Sequence, residues 1–308
     1  MSEKSIAITE EVASVSEIGD FWRLLKPNVM SLVVFTAGVG LYLAPGTIHP
    51  LMAAVAILCI TVAAGASAAI NNAYDADIDR IMARTRKRPT AAGRIQPADA
   101  LAYGLTLAVF SIMVMGLAVN WTAAALIAIT VAFYVLVYTM WLKRRTPQNI
   151  VIGGAAGALP PMIGWAAVTG DVSLTSISLF AVIFFWTPPH FWALALFRIK
   201  DYENVGVPML PVTAGPEATR LQILIYTIIL LPVSLLPVFV GPSGLLYGSA
   251  ATLLGTVFLL HAVRLWRDGT QRSATKTFRF SILYLFGLFG ALAADRLSTS
   301  MLTTVMAG

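Results

Sequence analysis

The sequence predicts an all-α polytopic membrane protein, with nine transmembrane helices around a central cavity open to the cytoplasmic side. Three observations predict it. Apolar runs of bilayer-spanning length, about 18 residues or more, recur along the chain. The 308 residues are 58% hydrophobic, with a mean hydropathy of +0.79, and only 12% are charged. A soluble domain carries about twice that charged fraction. Finally, 20 of the 21 basic residues fall on alternate connections.

Residues 1–20 are polar and acidic, with Glu3, Glu10, Glu11, Glu17 and Asp20. They lack the basic stretch and apolar core of a cleavable signal peptide. Residues 21–27, FWRLLKP, read as an interfacial lead-in: Trp22 at headgroup level, Arg23 and Lys26 at the cytoplasmic boundary. The chain thus divides into a cytoplasmic N-terminal segment (1–27), a single transmembrane domain (28–297) and a short tail (298–308).

The expected spans are 28–45, 51–70, 99–119, 122–142, 149–168, 174–196, 221–240, 244–263 and 278–296. Lys4, Arg23 and Lys26 precede the first. Arg80, Arg84, Arg86, Lys87, Arg88 and Arg94 follow the second, and Lys143, Arg144 and Arg145 the fourth. Arg198, Lys200 and Arg220 follow the sixth; Arg264, Arg267, Arg272, Lys276 and Arg279 flank the connection after the eighth. Arg296 alone falls on the other side. The positive-inside rule then places the N-terminus in the cytoplasm and the C-terminus outside, in a bacterial inner membrane. The same distribution explains the pI of 9.6 without nucleic acid. The outer connections are short and the larger ones, 71–97, 197–219 and 264–277, are cytoplasmic, so function is expected on that side. Cys59 lies in an apolar run and reads as a small buried thiol. AAGASAAI (63–70) and GGAAGA (153–158) let helix backbones approach closely. Pro188 and Pro189 inside the sixth span free backbone carbonyls that protein, water or ligand must cover.

Two polar clusters interrupt this apolar pattern. In INNAYDADIDRIMARTRKRPTAAGR (70–94), Asn71, Asp75 and Asp79 recur every fourth residue. On one helix they span roughly 80° of a face, while Asp77 points nearly the opposite way. Acids are disfavoured at a helix C-terminus and repel one another one turn apart. A cation must offset them: a divalent ion, or the basic run Arg80, Arg84, Arg86, Lys87 and Arg88. Oxygen donors without His or Cys favour a hard ion such as Mg²⁺. The alternative on spacing alone is a solvated loop whose acids and bases pair loosely. The second cluster, FRIKDYENVGVPMLPV (197–212), again sets acids, Asp201 and Glu203, at the cytoplasmic end of an apolar helix, beside Arg198 and Lys200. A cavity lined by both clusters would hold two metal ions bridging one diphosphate. His190 lies about 16 Å deeper than Asp201 at 1.5 Å per residue. Such an intramembrane histidine is a candidate haem ligand or proton relay, or else a structural hydrogen-bonded residue.

NNAYDADIDRIMARTRKRP resembles the first Asp-rich motif, Asn-x-x-x-Asp-x-x-x-Asp, of the UbiA-type intramembrane prenyltransferases. WTPPHFWALALFRIKDYENVGVPMLPV, LLKPNVMSLVVFTAGVGLYLAP and QNIVIGGAAGALPPMIGWAAVTG resemble the branch of that family that farnesylates haem. The resemblance runs from about residue 20 to 297. It implies an Mg²⁺-dependent transfer of the farnesyl group of farnesyl diphosphate to a vinyl group of haem b, with addition of water and release of diphosphate. Asn71, Asp75, Asp79 and Asp201 would be catalytic, holding metal together with Glu203. Arg84, Lys87, Arg88, Arg198 and Lys200 would contact the diphosphate, and His190 would orient the haem. A downstream haem A synthase is an implied partner for the product, and membrane lipid surrounds the farnesyl tail. Two other readings stand beside this one: prenylation of an aromatic or quinone precursor with the same metal sites, and a secondary transporter, whose broken helices and repeats look similar.

Overall fold

The computed structural model describes residues 16–241 and 243–307, the side chains of 28, 29 and 299–307 excepted. Lys4, Glu3, Glu10 and Glu11, and most of the expected N-terminal segment, lie outside the described residues. Among the described residues the regular secondary structure is all helix, with no strand. The short α1 (Ile18–Leu24) leads into α2 (Pro27–Leu43), and α3 (Pro50–Tyr74) ends in the small α4 (Ala76–Ile81). Then come α5 (Pro97–Ala118) and α6 (Trp121–Ala132), which continues as a π-helix over Phe133–Leu142. α7 (Asn149–Ala158) and α8 (Pro160–Thr169) form one crossing interrupted at Leu159. α9 (Leu174–Phe197) is followed by the short α10 (Ile199–Glu203) and α11 (Leu210–Thr213). α12 (Gly215–Val240), α13 (Leu245–Asp268) and α14 (Gln271–Ala307) complete the chain.

Eight helical stretches among the described residues are long and apolar enough to cross a membrane. They coincide with the second to ninth expected spans. The first expected span corresponds to α2, whose 17 residues are fewer than in any of those eight. Several helices run past the apolar stretch into polar sequence: α12 starts at Gly215 rather than 221, and α14 at Gln271 rather than 278. Apolar periodicity marks only the part of a helix that lipid or core covers.

Small residues set the packing. A Cβ at Gly164 would overlap the carbonyl oxygen of Ala37, and one at Gly40 the carbonyl of Pro161, so α2 and α8 cross in backbone contact. Gly104 similarly lets α5 lie against Ile70 and Ala66 of α3. Cys59 is buried among Ala56, Ile60, Ala63 and Ile127, as a small thiol should be. The other large cluster joins Trp165, Leu179, Trp186, Tyr247, Phe258, Tyr284 and Phe289 of α8, α9, α13 and α14. Helix α9 passes through Pro188 and Pro189 unbroken, with both rings buried. On α14, Asp295 accepts from the backbone N–H groups of Gly244 (2.6 Å) and Tyr247 (3.2 Å), capping the N-terminus of α13.

Candidate active site

The first polar cluster is not a solvated loop. Asn71, Asp75 and Asp79 are 4%, 0% and 2% exposed, and Asn72 is buried beside them. Helix α3 breaks at Asp75 (φ −93°, ψ 9°), so Asn71 closes α3 and Asp79 sits in α4. The break costs little continuity: the Asp79 N–H still donates to the Asp75 carbonyl at 2.9 Å. The Asn71 amide donates to Asp75 Oδ2 at 2.6 Å.

Cations offset the buried acids, and only one comes from the basic run that follows them. Arg88 Nη1 donates to Asp79 Oδ2 at 2.7 Å. Arg80, Arg84, Arg86 and Lys87 are exposed. Asp75 is instead met by Lys143 and, at 3.5 Å, by Arg144, both from the end of the fourth crossing. Arg144 also grips Asp77 with two hydrogen bonds of 2.7 Å and stacks on Tyr74. Its hydrogen bonds, foremost, hold the Asp77 carboxyl below its ordinary range against the opposing effect of burial. Lys26 Nζ donates to Asn71 Oδ1 at 3.1 Å from a left-handed backbone (φ 53°). Burial, then the charges of Arg88 and Lys143, push the Lys26 amine well below the usual lysine range, with Asp79 and Asp75 working the other way. Lys26, Lys143 and Arg144 are the members of this site that sequence reasoning passed over. In a linear chain they look like the other basic residues that set topology.

The π-helix delivers the far wall. Its wider turns put Thr139 Oγ1 3.4 Å from the Asn71 amide, and Tyr134 and Tyr138 within electrostatic reach of Asp75 and Arg88. Tyr138 is also within reach of Tyr202 in the second cluster and of Arg84.

The second cluster touches the first through apolar side chains. Ile78 of α4 packs with Ile150, Ala195, Val207 and Met209, against which Tyr202 and Val205 lie. Among the described residues no hydrogen bond or ion pair joins Asp201 or Glu203 to Asn71, Asp75 or Asp79. Likewise, among the described residues no group of three or more His, Cys, Asp or Glu side chains is placed to share a metal ion. Glu203 is exposed. Asp201 has Arg198 Nη1 4.0 Å away, and its Oδ2 is buried without a hydrogen-bond partner. Arg198, Lys200 and Asp201 line an open groove of about 460 Å³ closed on the other side by Pro216, Leu265, Thr270 and Gln271.

His190 is 8% exposed and sandwiched between Trp186 (ring centroids 4.3 Å apart) and Phe278 (4.7 Å). Its Nδ1 lies 2.6 Å from Ser281 Oγ, and that hydroxyl donates its only proton to the Phe278 carbonyl at 2.7 Å. Ser281 Oγ thus lies between the Phe278 carbonyl and His190 Nδ1, and engages Nδ1 so that Nε2 is the ring nitrogen without that partner.

The donor set fits a hard divalent ion. It is buried, oxygen-only and bears two carboxylates; Asp201, whose buried Oδ2 has no hydrogen-bond partner, stands apart from it in the groove beside Arg198 and Lys200. Arg88, Lys143 and Arg144 pair with Asp79, Asp75 and Asp77, and a bound cation on the acids would leave their donors to an anionic ligand. A buried polar site of oxygen donors and cations at one end of an apolar helical bundle defines an intramembrane site suited to a hard cation and a strongly anionic ligand.

The chain belongs to the UbiA prenyltransferase family, which it matches over residues 33–289. It is 56% identical over 306 residues to the protoheme IX farnesyltransferase of Parvibaculum lavamentivorans, covering 96% of each chain. Against that of Azorhizobium caulinodans it is 59% identical over 286 residues, covering 92% of this chain and 93% of the other. Among solved structures, digeranylgeranylglyceryl phosphate synthase superposes with a TM-score of 0.76 at 18% identity, covering 90% of this chain and 98% of that one. A UbiA homologue from Archaeoglobus fulgidus bound to GPP and Mg²⁺ superposes with a TM-score of 0.62 at 17% identity, covering 89% and 99%. These likenesses establish the fold: an all-α, multi-pass membrane prenyltransferase.

Proposed function

We propose that the protein transfers the farnesyl group of farnesyl diphosphate to a vinyl carbon of haem b. Water adds to the adjacent carbon, and diphosphate and a proton are released. One observation carries the reading: a buried Asn71–Asp75–Asp79 set ringed by Lys26, Arg88 and Lys143, in a chain more than half identical to protoheme IX farnesyltransferases along nearly its whole length.

Asn71, Asp75 and Asp79 would hold Mg²⁺, and Asp201 with Glu203 a second ion, as befits their oxygen donors. Bound there, the metal would neutralise charge developing on the leaving diphosphate. The chain's own part is electrostatic and spatial. Arg88 and Lys143 sit where they can turn from carboxylate to phosphate oxygens, and Lys26 where it can turn from the Asn71 amide oxygen. Arg84, Lys87, Arg198 and Lys200, nearer solvent, complete the basic lining. The apolar bundle above them keeps water from the allylic cation until the vinyl carbon attacks. His190 Nε2 is offered to the haem iron, its ring held by Trp186, Phe278 and Ser281.

The basic connections support an inner-membrane protein with its N-terminus and site on the cytoplasmic side, α2 as a ninth crossing and the C-terminus outside. The farnesylated product is too lipophilic to leave the bilayer readily, which favours direct hand-over to haem A synthase. The test is mass spectrometry of haem from membranes given farnesyl diphosphate, haem b and Mg²⁺, with EDTA as control. A farnesyl-plus-water mass increment that EDTA removes is expected; unchanged haem in the Mg²⁺ arm rejects the reading.

A further inference from the structure

We propose that the interfacial helix α1 holds the basic loop of the diphosphate site in place through Asp20 and Arg94, which makes these two positioning residues for the transfer. The inference rests on the reading of the first motif given above.

Asp20 is 1% exposed, although α1 turns Ile18 and Trp22 outward. Arg94 Nε donates to both of its carboxylate oxygens, at 3.0 and 3.1 Å, and Arg23 adds a third bond at 3.1 Å. Arg94 Nη2 donates at the same time to the carbonyl of Lys87 at 3.2 Å. The next residue, Arg88, is the one that meets Asp79. An unbroken line of polar contacts thus runs from α1 to the acidic motif. A second line runs beside it: the Asn72 amide donates to the Leu24 carbonyl at 3.1 Å, and Thr90 Oγ1 donates to the Asn72 carbonyl at 3.0 Å. Leu24 itself is buried with Ala69, Ile95 and Ala100.

Apolar packing of Leu24 suffices to dock a seven-residue helix. It does not fix where the carbonyl of Lys87 points. A guanidinium does, because its donors lie in a rigid plane and bind carboxylate and carbonyl at set angles. Burying a carboxylate is costly unless it is fully paired, and here it is paired to one arginine from α1 and one from the loop. With the loop fixed in advance, Arg88 and its neighbours meet the diphosphate without first having to be ordered.

The experiment uses the full-length protein in phospholipid vesicles, with Asp20→Asn, Arg94→Gln and the reversed pair Asp20→Arg/Arg94→Asp. KM for farnesyl diphosphate should rise about tenfold in each single variant. KM for haem b should stay close to the parent's, the unfolding temperature should fall in Arg94→Gln, which leaves buried Asp20 with Arg23 alone, and the reversed pair should recover most of both losses. Calorimetric binding of Mg²⁺–pyrophosphate, which needs no turnover, should weaken by a similar factor. Parent-like pyrophosphate binding in both single variants overturns the proposal. So does an equal rise in both KM values, because that marks a general stabilising contact. Absence of pyrophosphate binding by the parent protein overturns the diphosphate reading itself, and the clamp with it.

Discussion

Lys143 donates its ammonium hydrogen bond to Asp75 Oδ2 across 68 residues of chain, joining the end of the fourth crossing to the end of α3. Arg144, at 3.5 Å from the other oxygen, is the only further cation paired with that carboxylate among the described residues. Lys143→Met therefore leaves a fully buried acid with one distant cation and the neutral Asn71 amide. Breaking such a pair should destabilise the protein by about 3 kcal/mol, read as a lower unfolding temperature. If Lys143 also turns to the diphosphate, KM for farnesyl diphosphate rises at least tenfold while KM for haem b holds. Equal effects on both substrates would confine Lys143 to a structural role.

Asp75→Ala and Asp79→Ala should each lower product formation by about 10³-fold, as loss of a preorganised charge-stabilising group does, with protein still folded in membranes. Asp77→Ala is the control. Its carboxylate is largely exposed and bound to Arg144 rather than to the acidic set. Activity within a few-fold of the parent is expected. Full activity in Asp75→Ala or Asp79→Ala removes that residue from the metal site.

The Asp77–Arg144 pair also makes a pH prediction. Arg144's hydrogen bonds lower the Asp77 carboxyl in the folded protein. Stability from this pair is then fully present above the unfolded carboxylate value near 3.9 and is lost as pH falls through the lower folded value. The pair is partly exposed, so its worth is at most about 1 kcal/mol. The difference in unfolding temperature between parent and Asp77→Asn should be small and flat from pH 7 to about 5, and should vanish in stronger acid or high salt. A difference that grows on acidification contradicts the assignment.

The spacing of Asn71, Asp75 and Asp79 was legible because a helical period writes itself into the sequence, and the spans were legible because lipid demands apolar side chains. Their partners were not. Lys143 and Arg144 sit among cations that every membrane protein keeps on the cytoplasmic side, and nothing local separates a topological lysine from one that turns inward. Lys26 reaches Asn71 only because its backbone is left-handed, which no neighbour in the sequence announces. FYVLVYTMWL gives no sign of π-helical turns, yet that winding places Thr139 and the tyrosines. The second cluster shows the opposite lesson. The side chains of that segment in direct contact with Ile78 of the first motif are the apolar Val207 and Met209, which the polar pattern of the cluster does not single out.

Gly164 tests the packing that holds the site's scaffold. A Cβ there overlaps the backbone carbonyl of Ala37, and neither helix can yield locally. Gly164→Ala should cost about 1–3 kcal/mol by overpacking, with a lower unfolding temperature and unaltered KM values in the fraction that remains folded. Gly157→Ala, where a Cβ meets nothing, should be silent. Equal stability of the two variants would mean that α2 and α8 do not cross in backbone contact.

His190 supplies the last prediction. Its Nδ1 is engaged by Ser281 and both ring faces are covered, so Nε2 is the ring nitrogen left to bind a ligand. If Nε2 ligates the haem iron, His190→Ala should weaken haem b binding at least tenfold and shift the Soret band of the bound haem. Added imidazole should restore part of both. Ser281→Ala keeps the imidazole but removes the hydrogen bond that orients it, so it should weaken haem binding by a smaller factor, about two- to fivefold, because lost support for a ligand costs less than the ligand itself. Farnesyl diphosphate binding should be unchanged in both variants, since neither residue touches the acidic set. A parent-like Soret band and haem affinity in His190→Ala would falsify the assignment and leave the histidine as a hydrogen-bonded link between α9 and α14.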